Sequence, residues 1–303
     1  MTTILAGSFP VLPTPFRDDG TIDDADFLSI IDFAVAAGSN GVVYPGVASE
    51  VETLTPEERN RQVRILADRI GGRIPLVIGA SDPDPEQARK HVAFAASVGA
   101  AAAMVIAPFA IGNSVEAQIA YFRKVAEGAG VPIMLQNQPK PIGAGLTPEE
   151  AAEIANAVPE IQYIKEETPP CGQHLTRMQA VLNGGVKAIF GGAGGRYIMD
   201  ELARGAAGTM PASELADIHA ALVAAFQAGD TAKARALYSA SLPLLVFQAT
   251  FRMAMTKEVL RRRGVIKNIF VRGKGPKFDA GDRAELDALL ADARLPYSLN
   301  APV

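Results

Sequence analysis

The chain predicts an α/β fold, a (β/α)8 or TIM barrel with a C-terminal helical extension, and three observations predict it. Eight short apolar runs alternate with longer amphipathic stretches, the runs are apolar on consecutive positions, and the alternation stops after residue 210. Taken in order, the strand-like runs are 9–15, 41–46, 75–81, 102–108, 132–139, 161–168, 187–192 and 206–210. Runs such as 75–80 and 103–107 carry almost no polar residue, as expected of parallel strands covered on both faces. The stretches between them open with helix-start signals. Thr55-Pro56-Glu57-Glu58, Asp84-Pro85-Glu86 and Thr147-Pro148-Glu149-Glu150 each offer a capping side chain, a proline at the first helical position and acids in the first turn. Eight such units in about 210 residues suit a closed barrel better than an open doubly wound sheet, which usually has five or six strands. Beyond residue 210 the pattern reads as helices over 214–228, 231–263 and 281–293, with a loop rich in Gly, Lys and Pro over 264–278. The expected organisation is a barrel over 1–212 with its last helix and a helical extension over 213–303, the two forming one structural unit.

Composition excludes several classes of function. The chain has 303 residues, is 49% hydrophobic and 20% charged, and has a net charge of −4. At this length about three quarters of the unfolded surface can be buried, so neither disulfides nor metals are needed as staples. The single cysteine, Cys171, has no internal partner, which fits a reducing cytoplasm. No basic segment followed by a long apolar one opens the sequence, and no run of about 20 apolar residues occurs, so neither secretion nor a membrane is indicated. The one dense basic cluster, Arg261 to Arg263, directly precedes Gly264 and reads as decoration of a helix C-terminus rather than a nucleic-acid face. His91, His174 and His219 lack any paired metal-ligand spacing, and no G-x-S-x-G elbow is present. A small-molecule partner is expected.

In a barrel, chemistry sits at the carboxyl ends of the strands. Lys165 stands near the end of the sixth run, and the two-residue period of a strand gives Tyr163, Lys165 and Glu167 a common orientation. An amine taken out of water gives up its proton more readily and can attack a ketone. A neighbouring carboxylate opposes that effect while offering to carry protons. A plain ion pair is the competing reading of the same residues. Gly46, Val47, Ala48 and Ser49, followed by Glu50, form a turn after the second run where backbone N–H groups and the Ser49 hydroxyl could meet an anion, or which is simply a tight turn. Gln136, Asn137 and Gln138 place polar side chains at the end of the fifth run. The glycines 191, 192, 194 and 195 lack both the dinucleotide spacing and the Gly-Lys-Ser/Thr of a P-loop, so Gly192 reads as room for substrate beside a helix start that carries Arg196.

These clusters resemble a known family. Pro13-Thr14-Pro15-Phe16 with Asp18-Asp19-Gly20-Thr21-Ile22-Asp23, then Gly46 to Glu50 and Leu54-Thr55-Pro56-Glu57-Glu58-Arg59, are similar to the start of the dihydrodipicolinate synthase and N-acetylneuraminate lyase superfamily. Asn137 and Pro139 match its Y-N-x-P motif, Tyr163-Ile164-Lys165-Glu166 its Schiff-base strand, and 205–211 its eighth strand. The resemblance runs from about residue 7 to about residue 295. It implies class I chemistry on a small, pyruvate-like 2-oxo acid through a covalent Schiff base on Lys165, with no metal or other cofactor, in a cytoplasmic homotetramer built as a dimer of dimers.

The departures narrow the reading. Synthases of this family use three hydroxyls, and the matching positions hold Val47, Ala110 with Phe109 before it, and Gln136. The arginine that such synthases carry after Y-N-x-P falls on Pro141, so condensation of pyruvate with an aldehyde that carries a second carboxylate is disfavoured. Glu167 stands where the family usually has a small residue. Lys-x-Glu, with Gly194-Gly195-Arg196 at the next helix start, is similar to the 2-keto-3-deoxyarabonate dehydratase branch. The resemblance therefore implies Lys165, Glu167 and Gln136 as catalytic residues, and 46–49, Asn137, Gly192 and Arg196 as substrate-binding ones. Dehydration of a 2-keto-3-deoxy sugar acid such as 2-dehydro-3-deoxy-L-arabonate is the leading expectation. The alternatives are retro-aldol cleavage of such an acid to pyruvate and an aldehyde, and a non-catalytic 2-oxo-acid-binding protein.

Overall fold

A computed structural model describes residues 4–112 and 114–293. Its strands are β1 (Gly7–Ser8), β2 (Val42–Tyr44), β3 (Leu76–Gly79), β4 (Ala102–Ile106), β5 (Ile133–Asn137), β6 (Ile161–Glu166), β7 (Ala188–Gly191) and β8 (Gly208–Thr209). They form one eight-stranded sheet in the order β1-β8-β7-β6-β5-β4-β3-β2. A parallel bridge from Val11 to Val43 joins the chain just after β1 to β2, so the ends of the order meet and the fold is a parallel (β/α)8 barrel. The helices are α1 (Asp24–Ala36), α2 (Pro56–Ile70), α3 (Pro85–Ser97), α4 (Val115–Ala126), α5 (Pro148–Ala157), α6 (Cys171–Val181), α7 (Ile198–Ala203), α8 (Ala216–Gln227), α9 (Thr231–Phe251), α10 (Met253–Arg262) and α11 (Ala280–Asp292). No helix among the described residues is long and apolar enough to cross a membrane.

The expected start signals are the caps. Thr55 accepts from the Glu58 N–H while Glu58 accepts from the Thr55 N–H, and Thr147 and Glu150 repeat the arrangement at α5. Asp84 accepts from the Glu86 N–H at α3.

Two elements differ from the sequence reading. The first strand is not 9–15 but Gly7–Ser8, followed by the isolated Val11 bridges to Val43 and Ala212. Pro10, Pro13 and Pro15 have no N–H to give, so a continuous ladder cannot form through them. The helix expected over 231–263 is two helices broken at Arg252, whose φ of 45° and ψ of −116° lie outside the helical region. Neither glycine nor proline marks that break, while Pro243 lies inside α9 without ending it.

The chain divides into two compact units. Among the described residues one comprises Pro75–Ala193 and Tyr197–Met210 with residues 4–6, and so holds β3 to β8. Its registers pair Gln136 with Lys165, Asn137 with Glu166, Lys165 with Phe190 and Glu166 with Gly191. The core packs fully buried Val105, Phe122, Ile133, Leu135, Ile164 and Phe190.

The other unit comprises Gly7–Ile74, Gly194–Arg196 and residues 211–293. Its interior is rich in paired charge. Lys257 is fully buried, donates to Glu50 Oε1 at 2.5 Å and to the Phe270 carbonyl at 2.7 Å, and stands 4.4 Å from the centre of the Phe16 ring. Gly273 N–H gives Glu50 a further donor at 2.7 Å. Arg272 pairs in two-pronged fashion with Glu58, and Arg263 does so with Asp217. The buried Lys257–Glu50 and Arg263–Asp217 pairs add little against apolar replacements, but removing one partner of such a buried pair typically costs about 3–5 kcal/mol.

Candidate active site

Lys165 lies one residue before the end of β6 and is 4% exposed. The register places Gln136 of β5 beside it on the same face, and Phe190 of β7 on its other side. Glu167 follows the strand with the same orientation, and its Oε2 stands 3.3 Å from Lys165 Nζ. The expected common face of Lys165 and Glu167 is therefore what the strand builds.

Glu167 is held by three N–H donors. Gln136 Nε2 donates to Oε2 at 2.6 Å, Gln138 Nε2 donates to the same oxygen, and the Ala193 N–H donates to Oε1 at 2.8 Å. The Glu167 N–H in turn donates to the Asn137 carbonyl at 3.0 Å. Glu167 accepts all three bonds through its carboxyl oxygens and so presents a fixed oxygen to the amine. Gln138 belongs to the polar cluster at the end of β5, but nothing in the sequence singles it out. The Ala193 N–H carries no sequence signal at all.

Asn137 shares the face of Glu166, not that of Lys165, because neighbouring residues on a strand point opposite ways. Its side chain donates to Glu166 Oε2 at 2.8 Å and to the Leu146 carbonyl at 2.9 Å, and accepts from the Leu146 N–H at 3.0 Å. It ties β5 to β6 and to the loop before α5, and thereby supports the strand end that carries Gln136. Glu166 also accepts from the Thr168 N–H at 2.6 Å.

Gly192 supplies space, and Glu167 fills it. A Cβ there would meet Glu167 Oε1 at 2.4 Å and its Cγ at 2.5 Å. Gly192→Ala is expected to displace the carboxylate and lower kcat by about 10–100-fold while a 2-oxo acid is still captured, since a shift of about 1 Å at a reacting group costs on the order of a hundredfold. Steady-state kinetics alongside reductive trapping checks this.

The remaining expected residues lie in the other unit, at positions that also follow strand ends in the chain. Ser49 is fully buried, and its hydroxyl donates to the Leu12 carbonyl at 2.5 Å and accepts from the Gly46 N–H at 2.9 Å, so it is committed to shaping its own turn. Thr14 braces that turn by donating to the Ser49 carbonyl at 2.7 Å, with Tyr44 OH 3.1 Å from the Thr14 hydroxyl. Among the described residues the N–H groups of Val47 and Ala48 have no acceptor, which leaves them available to an anion. Arg196 is half-buried. Its carbonyl accepts from Tyr238 OH at 2.6 Å, and its guanidinium reaches Gln248 Oε1 at 3.5 Å. Among the described residues no group of three or more His, Cys, Asp or Glu is placed to hold a metal ion.

The comparisons with known proteins agree with this architecture. An L-2-keto-3-deoxyarabonate dehydratase from Azospirillum brasilense is 29% identical over 287 residues, covering 93% of each chain. A 4-hydroxy-tetrahydrodipicolinate synthase from Maridesulfovibrio salexigens is 30% identical over 240 residues, covering 78% of this chain and 81% of that one. Among solved structures, a dihydrodipicolinate synthase from Rhodopseudomonas palustris superposes with a TM-score of 0.87 at 28% identity, covering 95% of this chain and 97% of that one. The model of the dihydrodipicolinate synthetase family matches residues 4–292. With the barrel, the lysine near the end of its sixth strand and a match of that length, the chain belongs to the dihydrodipicolinate synthetase family and is an enzyme of the Schiff-base lyase and aldolase type.

Proposed function

We propose that the protein dehydrates a 2-keto-3-deoxy sugar acid, with 2-dehydro-3-deoxy-L-arabonate as the leading candidate, through a Schiff base on Lys165. The observation that carries this reading is the Glu167 carboxylate, fixed by three N–H donors 3.3 Å from Lys165 Nζ. The dehydratase from Azospirillum brasilense among its relatives supports it.

The steps follow from the chemistry of a ketimine. The Lys165 amine adds to the C2 ketone and expels water, leaving an iminium that draws electrons from C3. Glu167 takes one C3 proton and forms the enamine, then returns a proton to the C4 hydroxyl as it departs as water. A proton moves from C5 to C3, and the resulting enol becomes the C5 aldehyde. Hydrolysis frees the amine and releases 2,5-dioxopentanoate. The water lost on forming the iminium is regained on hydrolysis, so the net change is loss of one water. Gln136 and Gln138 keep the carboxylate oriented through both proton transfers. Gly192 leaves the room that Glu167 occupies, and the resemblance implies 46–49 and Arg196 as further substrate-binding residues. The resemblance extends this to a cytoplasmic homotetramer that needs no added cofactor.

The relatives named as synthases favour a different reaction, but Val47, Gln136 and Pro141 leave this chain without the hydroxyls and the arginine which that chemistry uses. The deciding experiment is a panel of 2-keto-3-deoxy acids, followed for loss of water and, with lactate dehydrogenase, for pyruvate. The expected result is 2,5-dioxopentanoate from the arabonate derivative without pyruvate. Release of pyruvate would replace dehydration by retro-aldol cleavage. Thermal stabilisation by pyruvate without turnover of any acid would make the protein a binder.

A further inference from the structure

Behind Glu167 lies a second carboxyl group that the reaction scheme does not use. Glu201, on α7, is 1% exposed, and neither of its oxygens has a well-formed hydrogen bond among the described residues. Burial, with the negative charges of Glu167, Glu166 and Asp200 adding to it, raises its pKa to about 8, and the Gly192 N–H offsets this only in part. A buried carboxyl that lacks partners is far less costly as the neutral acid.

The glycines at the end of β7 show how the two acids are related. A Cβ on Gly191 would lie 2.0 Å from Glu201 Oε2, and one on Gly192 would lie 2.4 Å from Glu167 Oε1. Successive residues of a strand face opposite ways, so the two carboxyl groups press on opposite sides of one stretch of backbone. That stretch offers the Gly192 N–H towards Glu201 and gives the Ala193 N–H to Glu167 at 2.8 Å.

We infer that Glu201 is a positioning residue that stays protonated while the enzyme works, backing the Gly191–Ala193 backbone so that Glu167 alone carries charge beside Lys165. Ionising it adds a negative charge against the same backbone and disturbs the carboxylate on the far side. The groups that face Glu201 are Glu166 and Glu167 from β6 and its end, Asp200 on its own helix, and Cys171 of α6, whose thiol burial and these carboxylates push up in pKa. His174 of α6 stands 3.8 Å from Glu166 Oε1. Among these groups none is a fixed cation that would relieve the added charge.

The inference rests on the Lys165 and Glu167 chemistry proposed above, and the test keeps the two apart. Glu201→Gln, nearly isosteric with the neutral acid, is compared with the unaltered enzyme from pH 6 to about 9, with borohydride trapping of pyruvate measured in parallel. The unaltered enzyme is expected to lose about tenfold in kcat/KM one pH unit above about 8, while the variant changes less than about twofold relative to its own value at pH 7. The stability readout has a defined sign. A carboxyl whose folded pKa is raised from 4.5 to about 8 contributes stability below about pH 4.5 that is lost as pH rises towards about 8. The melting temperature of the variant, relative to the unaltered protein, should therefore climb across that window. A variant-to-native activity ratio that stays constant with pH, a flat difference in melting temperature, or a variant that fails to fold because the charge is required would each overturn the inference. Loss of trapping in the unaltered enzyme would instead overturn the Lys165 reading.

Discussion

Lys165→Ala is expected to form no borohydride-reducible adduct with pyruvate and to lose at least about a thousandfold in kcat, since the variant lacks the amine that would carry the covalent intermediate. The fold should survive the change. Lys165 pairs with Glu167, and Glu167 keeps its Gln136, Gln138 and Ala193 donors when the amine is gone. Mass spectrometry after reduction, with circular dichroism as the control, checks both halves of the statement. An adduct of unchanged yield in the alanine variant would remove the lysine from the mechanism.

Glu167→Gln should separate capture from turnover. The amide cannot accept the C3 proton, and general acid–base steps are worth on the order of 10²- to 10⁴-fold, so kcat is expected to fall by that amount. Trapping by Lys165 should persist, because the amine and its strand remain. The variant also brings a structural cost. Both Glu167 oxygens accept from N–H groups, so either orientation of the amide sets its NH₂ against a donor, and a penalty of about 1–3 kcal/mol follows. The clean comparison is therefore burst capture of pyruvate against steady-state dehydration at a temperature well below the variant's melting point. Unimpaired turnover would eliminate Glu167 as the proton carrier.

The barrel was legible because its determinants are local. Consecutive apolar positions in 75–80 and 103–107 marked covered strands, and Thr55, Asp84 and Thr147 announced the helices that they cap. The shared orientation of Lys165 and Glu167 was legible for the same reason, as a strand's period fixes it. What escaped depends on contacts between elements or on backbone groups. The Ala193 N–H has no side chain to advertise it, and Gln138 acts only because β5 and β6 are in register. The turn of Asn137 towards Glu166 follows from alternation against Gln136, but its bond to that acid depends on the neighbouring strand. Glu201 left a trace that could have been read, an acid amid Ile198, Met199 and Leu202 on the buried side of a short helix. The break at Arg252 left none.

The Lys257–Glu50 pair makes the stretch 264–278 something other than a loose connection. The Phe270 carbonyl accepts from Lys257, while the Gly273 N–H donates to Glu50 and the Arg272 fork to Glu58, so this late segment supplies donors to acids that follow β2, more than two hundred positions earlier in the chain. An engineer who swaps this segment to alter the catalyst therefore takes the Gly273 donor from Glu50 and the Arg272 fork from Glu58, and leaves the two acids to Lys257 and the Thr55 N–H alone.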